Sequence, residues 1–339
     1  MNSGIIPIGT RGLAPALYFK ANGRMSNKTI AKFYLFVISA AALAVFFSAC
    51  SDNSSKENKR EPESHYNPPK TIGTIKSGDV IESSGIAASR CQSDVLWTHN
   101  DSDDGPYIYA FKSTGENLGT WKVQNADSKD WEDIAAYKDK SGKCFLYIGD
   151  IGDNQLQFGD HAVYKITEPI IQLSDAKSDR KSPMTTEPAE IVRFKYPDMR
   201  QNAETMMVQP VTGSIYILTK RIAGPSGVYR VKPDFGNSET QKAQIIAEVS
   251  VPSIPNGLLT GGDISPDGKH VIVCDYTQGY EFTLPEIASN FDEIWAQKPE
   301  IVDLGERKQG ESVCYSVDGS SLFATSEGKR SSVIEVKRR

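Results

Sequence analysis

Acidic residues recur at one position of a repeated strand pattern in this sequence. Five short apolar segments can be aligned on their first apolar residue. One column of the alignment then holds Ser84, Glu132, Glu204, Gly262 and Glu311. The next column holds Gly85, Asp133, Thr205, Asp263 and Ser312. If the five segments stand around a common axis, three or four carboxylates meet in one narrow space and repel one another unless a cation neutralises them.

Oxygen ligands in an irregular ring suit a hard cation, and calcium tolerates such irregularity better than magnesium does. The sequence therefore predicts a calcium site with the candidate ligands Ser84, Glu132, Glu204, Asp263 and Glu311. In this set Asp263 compensates for Gly262, which has no side chain to offer. The alternative is that the acids only cap strand starts or accept hydrogen bonds from backbone amides.

Further polar side chains follow the second strand of several repeats, and these loops return to the face where the inner strands begin. Asp101 follows the second strand of the first repeat, and Lys220 and Arg221 follow that of the third. In a metal-assisted hydrolase, calcium would hold phosphate oxygens and Asp101 or Glu132 would orient water. Lys220, Arg221 or Arg330 would then neutralise the developing charge. For the basic pair, a solvated loop is the alternative.

The elements that must position these residues are β-strands. From residue 71 onward, short runs rich in Val, Ile, Tyr and Phe are separated by turn residues such as Ser265-Pro266-Asp267-Gly268. Four such runs form a unit, and the unit recurs five times at a spacing of roughly 50 to 70 residues, which is typical of a β-propeller. The predicted fold class is therefore all-β, a β-propeller of five four-stranded blades.

The chain ends after the third strand of the last unit, near Val336. The segment Thr71–Ile75 is predicted to supply the missing outer strand, which would close the ring and cover a sheet edge. A six-bladed ring is the alternative if residues 168–190 or 286–300 contain further strands. Residues 286–297 are instead predicted to form a short helix.

The N-terminal part of the chain is predicted to lie outside the fold. Residues 1–49 form a leader in which Met25 is a candidate start, and Phe33–Phe47 is an apolar run of the length found in secretory signals. The run ends in Phe47-Ser48-Ala49-Cys50, which resembles the lipobox of bacterial lipoproteins. That resemblance implies cleavage before Cys50, a lipid on Cys50, and membrane anchoring on the outer side of a bacterial cell envelope. Residues 50–70 would be a flexible tether and 71–339 the propeller.

Charge and cysteine content narrow the function classes. A net charge of −5 gives no basic field for nucleic acid. The four cysteines after Cys50 contain no CxxC pair, which disfavours a structural zinc site. Cys91 and Cys144 precede the second strands of adjacent repeats, so either a disulfide or two separate thiols fits them. Cys274 and Cys314 lie in apolar strands and are predicted to be core residues.

The column Ser84, Glu132, Glu204, Gly262 and Glu311 resembles that of the calcium-activated nucleotidases of the apyrase type. The resemblance implies a five-bladed propeller with one calcium ion in the central channel and hydrolysis of nucleoside di- and triphosphates. It matches four residues to the calcium ligands, namely Ser84, Glu132, Glu204 and Glu311. Asp101 matches an acid that follows the second strand of the first blade, and Lys220 and Arg221 match a basic pair that follows the second strand of the third blade. Gly262 departs from the pattern. The runs Glu132–Ala135 and Gly149–Asn154 also resemble uncharacterised secreted propellers, including phytase-like esterases.

Two hypotheses of function follow. The first is a lipid-anchored calcium-bearing propeller that binds a small molecule or a protein at the channel mouth. The second is a calcium-dependent hydrolase of phosphate anhydrides or esters. The first is favoured, because few catalytic candidates stand beside the acidic residues.

Overall fold

The computed structural model describes residues 64–101 and 104–339. These residues form five small, mainly antiparallel sheets arranged as a five-bladed β-propeller, so the predicted fold class is confirmed. The leader, Cys50 and most of the tether lie outside the described residues, and the predictions made for them remain predictions. Within the described ranges, no helix has the length and apolar character needed to cross a membrane.

Each blade consists of four antiparallel strands from the axis outward. The inner strands are Ser83–Ala88, Trp131–Lys138, Ala203–Val208, Gly261–Ile264 and Gly310–Tyr315. The second strands are Leu96–Asn100, Cys144–Asp150, Ile215–Arg221, His270–Cys274 and Ser321–Ser326. The third strands are Tyr107–Phe111, His161–Thr167, Ser226–Val231, Gly279–Thr283 and Ser332–Lys337. The outer strands are Asn117–Gln124, Glu190–Lys195, Gln244–Val249, Glu300–Val302 and, for blade 5, Lys70–Thr74.

The two ends of the propeller sequence close the ring together. Lys70–Thr74 pairs antiparallel with the third strand of blade 5, as predicted for this segment. Just before it, the buried hydroxyl of Tyr66 donates to Glu281 at 2.5 Å, and Arg338 bonds the same carboxylate. The last blade therefore has a complete fourth strand, and its edge is covered.

Three short strands extend the blades. Met184–Pro188 runs parallel to the outer strand of blade 1, and Gln241–Lys242 runs parallel to that of blade 2. Gly257–Leu258 pairs with the end of the second strand of blade 3. Residues 168–190 thus contain a strand, but this strand pairs with blade 1 and does not form part of a sixth blade. The six-bladed alternative is therefore wrong.

Two 3₁₀ helices, Asp175–Lys177 and Phe291–Ala296, lie outside the blades. The second falls within residues 286–297, where a short helix is predicted from the sequence. Its Asn290 cap accepts a hydrogen bond from the amide of Asp292 at 3.0 Å.

Aromatic side chains fill the space between adjacent blades. Trp97 and Trp131 are fully buried in one apolar cluster of blades 1 and 2, and the ring centroids of Trp97 and Trp121 lie 5.2 Å apart. Burial of this much apolar surface is the main force that holds two blades together.

A covalent bond joins the same two blades. Cys91 and Cys144 form a disulfide, which decides between the two readings that the sequence leaves open. Cys274 and Cys314 are buried free thiols, in agreement with the prediction that they are core residues.

Candidate functional site

The inner strands carry a repeated irregularity at the end where they begin. In four of the five blades, the pairing with the second strand skips one residue, which is a β-bulge. The skipped residues are Ser84, Glu132, Glu204 and Glu311. In blade 4 the pairing is regular, and the corresponding residue is Gly262. Bulges re-aim single side chains and are frequent beside functional sites, so the aligned column is a structural feature as well as a sequence pattern.

We call the face on which the inner strands begin the mouth face, and Glu132, Glu204 and Glu311 the collar. The three collar side chains are buried, with 4–5% of their surface exposed. Burial and then the nearby Glu204 raise the pKa of Glu132 well above its usual value. Burial, a hydrogen bond with Glu327 and the charge of Glu204 do the same to the pKa of Glu311. The structure therefore brings the three glutamates together, as the alignment predicts.

Lys220 supplies a positive charge inside the collar. Its Nζ lies 2.5 Å from both carboxylate oxygens of Glu204 and 5.0 Å from the centre of the Tyr276 ring. Burial lowers the pKa of Lys220, but Glu204, Tyr276 and Glu311 more than reverse this effect, and the net pKa is raised. Lys220 is therefore charged at neutral pH and neutralises Glu204 directly.

A second acidic group adjoins the collar through Glu132. Carboxylate oxygens of Asp101, Asp130 and Glu132, which we call the acidic trio, lie within 4.8 Å of one another. Asp101 follows the second strand of blade 1, where its amide donates to Glu82 at 3.1 Å. Asp130 directly precedes the inner strand of blade 2. All ligand atoms of this trio are carboxylate oxygens, which is the donor chemistry that calcium prefers, so these residues fit such an ion.

The loop that follows the second strand of blade 2 holds the backbone of Asp130. The carboxylate of Asp150 accepts the amide of Asp130 at 2.7 Å, and the amide of Gly152 donates to the Asp130 carbonyl at 3.1 Å. A Cβ on Gly152 would lie 2.2 Å from Oε1 of Glu132. The run Gly149–Asn154, prominent in the sequence, therefore has a positional role, and only a glycine at 152 leaves room for the carboxylate.

Other candidates from the sequence are placed differently. Asp263 binds Arg90 at 2.9 Å and accepts the amides of Ile264 and Tyr315 at 2.8 and 3.0 Å. The carboxylate of Asp133 contacts blade 3 in the same way, because it accepts a hydrogen bond from the amide of Met206 at 2.9 Å. The two acids of the second alignment column thus link blades, and this matches the alternative of acids that accept backbone hydrogen bonds.

Ser84 and Arg221 also have partners of their own. The hydroxyl of Ser84 donates to the carbonyl of Glu132 at 3.0 Å. Arg221 lies 3.5 Å from Glu248 on the outer strand of blade 3 and donates to Gln201 at 3.3 Å. Of the three proposed catalytic residues, Asp101 and Lys220 stand beside the collar, and Arg221 is directed outward along blade 3. The ligand and catalytic roles of all these residues remain predictions.

Sequence reasoning missed Asp130. The residue stands two positions before Glu132, directly before the inner strand, so the Asp-Trp-Glu run was an available signal. It was missed because Asp130 lies before the two columns that the alignment compares.

No family model matches this chain, and no curated protein matches it. The resemblances to bacterial lipoproteins, apyrase-type nucleotidases and phytase-like propellers therefore remain predictions from the residues quoted above.

Proposed function

We propose that this protein is a ligand-binding propeller whose mouth face holds a calcium ion on Asp101, Asp130 and Glu132. The observation that carries the proposal is the convergence of these three carboxylates from two different blades within 4.8 Å. When bound, calcium supplies positive charge and open coordination positions for oxygen atoms of a ligand. The protein residues fix the geometry, because Asp150 and Gly152 hold Asp130 by its backbone.

The electrostatic argument concerns Glu132, which belongs to both the collar and the trio. Its pKa is raised by burial, Glu204, Asp101 and Asp130, and Lys220 offsets this only in part. A buried carboxylate in this situation takes up a proton or binds a cation. Lys220 is already bound to Glu204, so a second cation beside Glu132 is favourable.

The proposal includes a lipid anchor on Cys50, with the propeller exposed to an extracytoplasmic compartment of a bacterial envelope. The support is the run Phe47-Ser48-Ala49-Cys50 and the disulfide between Cys91 and Cys144, since structural disulfides persist mainly in oxidising compartments. Metabolic labelling with a fatty acid tests this part. We expect the wild-type protein to be labelled and Cys50→Ala to remain unlabelled. Labelling that persists in Cys50→Ala would contradict it.

Calorimetric titration of the propeller with Ca²⁺ and with Mg²⁺ tests the ion site. We expect Ca²⁺ binding that Asp130→Asn weakens at least tenfold, because one of three charged ligands is lost. Asp234→Asn is the matched control, since Asp234 is exposed and follows the third strand of blade 3, which ends on the opposite face. The absence of Ca²⁺ binding, or equal affinities of Asp130→Asn and Asp234→Asn for Ca²⁺, would refute the proposed site.

A second candidate function is calcium-dependent hydrolysis of phosphate anhydrides or esters. It is supported by the position of Asp101 and Lys220, which both interact electrostatically with Glu204 beside the proposed ion. Phosphate release from nucleotides and phosphomonoesters, with Ca²⁺ and with EDTA, tests it. Release in Ca²⁺ that Asp101→Asn abolishes would establish hydrolysis, and no release under either condition would exclude it for these substrates.

A further inference from the structure

A cleft of about 280 Å³ opens on the mouth face where blade 2 meets blade 3. It is separate from the collar and from the acidic trio. Its walls include Phe158, His161, Tyr196, Asp198, Met199 and Arg200. His161 begins the third strand of blade 2, and the residues from Tyr196 to Arg200 connect the outer strand of blade 2 to the inner strand of blade 3.

Three aromatic residues, Phe158, His161 and Tyr196, line this cleft beside its polar groups. The ring of Tyr196 lies 5.2 Å from that of His161 and 4.7 Å from that of Tyr229, measured between centroids. Burial lowers the pKa of His161 to about 4, so its ring is neutral at pH 7. The cleft therefore presents flat, uncharged ring surfaces that can cover the apolar face of a ligand.

Two side chains of opposite charge stand beside these rings. Asp198 accepts hydrogen bonds from Tyr229 at 2.9 Å and from Gln201 at 3.3 Å. Burial raises the pKa of Asp198, but the Met199 amide and the Tyr229 hydroxyl outweigh it, so the pKa is lowered and the group is ionised at neutral pH. Arg200 donates to the Leu156 carbonyl at 3.0 Å. The lining of the cleft thus carries one negative and one positive charge, and Lys129, whose Nζ lies 5.6 Å from the Phe158 ring centroid, is paired with Asp160 at 4.0 Å. The cleft therefore suits a ligand without net charge.

The wall that contains Phe158 is held rigidly. The buried carboxylate of Asp153 accepts the amides of Gln157 and Phe158 at 2.6 and 2.8 Å. The amide of Asp153 donates to Asn202 at 2.7 Å, which ties this loop to the connection into blade 3. A preformed cleft binds a small ligand without a large ordering cost.

We propose that this cleft binds one ring of a neutral saccharide. A sugar ring has an apolar face, which stacks on Phe158 and Tyr196, and hydroxyl pairs, which bond to the planar Asp198 and Arg200 groups. The cleft volume of about 280 Å³ lies just below the range of about 300 to 1,000 Å³ for ligand pockets, which fits a single ring and not a long chain. This inference rests on the proposed function only in taking the mouth face as the ligand-binding face.

Saturation-transfer NMR on the propeller tests the assignment, with glucose, galactose, rhamnose and N-acetylglucosamine as probes. We expect transfer to at least one sugar, reduced about fivefold or more in Phe158→Ala and in Asp198→Asn, as is typical of central contacts. Arg200→Ala is a further cleft variant, chosen because Arg200 is exposed and its replacement leaves the core intact. The matched controls Asp234→Asn and Met184→Ala, both at exposed positions, should leave transfer unchanged.

No transfer to any of the sugars, or equal transfer in the cleft and control variants, would overturn the assignment. Cleft-dependent transfer to acetate, tetramethylammonium or N-acetylphenylalanine amide in place of the sugars would overturn it in favour of a charged ligand or a protein side chain. Each measurement is repeated with Ca²⁺, with EDTA and in Asp130→Asn. Sugar binding in a protein that binds no Ca²⁺ would refute the ion site alone, and Ca²⁺ binding without sugar binding would refute the cleft alone.

Discussion

The ammonium group of Lys220 lies 2.5 Å from both carboxylate oxygens of Glu204, so the collar contains a cation of its own. Both side chains are largely buried, with 16% and 6% of the side-chain surface exposed. The pair accounts for one of the three collar charges. The cation site that we propose therefore lies at Glu132, Asp101 and Asp130, and not at the centre predicted by the aligned column.

Lys220→Met should destabilise the protein in EDTA by about 3–5 kcal/mol, because it leaves Glu204 buried and unpaired. Ca²⁺ should restore more stability in this variant than in the wild type, since it then offsets more uncompensated charge. Urea unfolding with EDTA and with Ca²⁺ measures both effects. Lys112→Met, which breaks an exposed pair with Glu116, is the control and should change stability by less than about 1 kcal/mol. Equal effects of the two substitutions would contradict the role of Lys220.

Gly152→Ala should weaken Ca²⁺ binding while the propeller remains folded. The added Cβ would lie 2.2 Å from Oε1 of Glu132 and 2.6 Å from the carboxyl carbon of Asp130, so both carboxylates must move. Gly159→Ala is the matched control in the same loop, because nothing lies within 4 Å of the position of its Cβ. Calorimetry and circular dichroism on the two variants separate loss of the site from loss of the fold. Normal Ca²⁺ affinity in Gly152→Ala would show that the ion is held elsewhere.

His161 should make the protein sensitive to mild acid. Its pKa falls from 6.5 in the unfolded chain to about 4 in the folded state, chiefly through burial. The unfolded chain binds the extra proton within this window, so stability is complete above pH 6.5 and is lost as pH falls toward 4. The loss amounts to at most about 3 kcal/mol. His161→Phe should reduce the difference in unfolding free energy between pH 7 and pH 4 by up to this amount, and an unchanged difference would argue against the burial effect.

Glu132 should act on stability in the opposite sense. Its folded-state pKa is raised, so in EDTA the native state binds more protons than the unfolded chain above about pH 4.5. Stability from this group is therefore present at low pH and is lost as pH rises through the folded-state pKa. Glu132→Gln should remove that loss in EDTA and also abolish the stabilisation by Ca²⁺, both measured by thermal unfolding at a series of pH values. A Ca²⁺ effect that persists in Glu132→Gln would exclude Glu132 as a ligand.

Reduction of the Cys91–Cys144 disulfide should destabilise the propeller by about 4 kcal/mol on the chain-entropy model, for a sequence separation of 53 residues. Cys91→Ser should show a similar loss and no further response to a reducing agent. Thermal unfolding with and without the agent provides the measurement. An equal response of wild type and Cys91→Ser to reduction would contradict a stabilising role for the disulfide.

The sequence was sufficient for the fold class because each strand is specified locally, although it left a six-bladed ring open. Alternating apolar residues and turns such as Ser265-Pro266-Asp267-Gly268 define the strands, and their recurrence defines the five blades. The closing strand was also predictable, since the last unit lacks a fourth strand. The strand Met184–Pro188 was not predicted, because it pairs with blade 1 across a long sequence separation and has no neighbour in the chain to reveal its partner.

The sequence alone also determined that acidic residues occupy equivalent positions in successive blades. The partner of each one follows only from the packing of the blades. Backbone amides of the next blade and Arg90 bind Asp263, Lys220 reaches Glu204, and Asp130 meets Asp101 beside Glu132. These outcomes depend on bulges and on contacts between distant segments, and strand periodicity carries no information about either. A column of equivalent residues is fixed by repetition, whereas the partner of each charged group is fixed by packing.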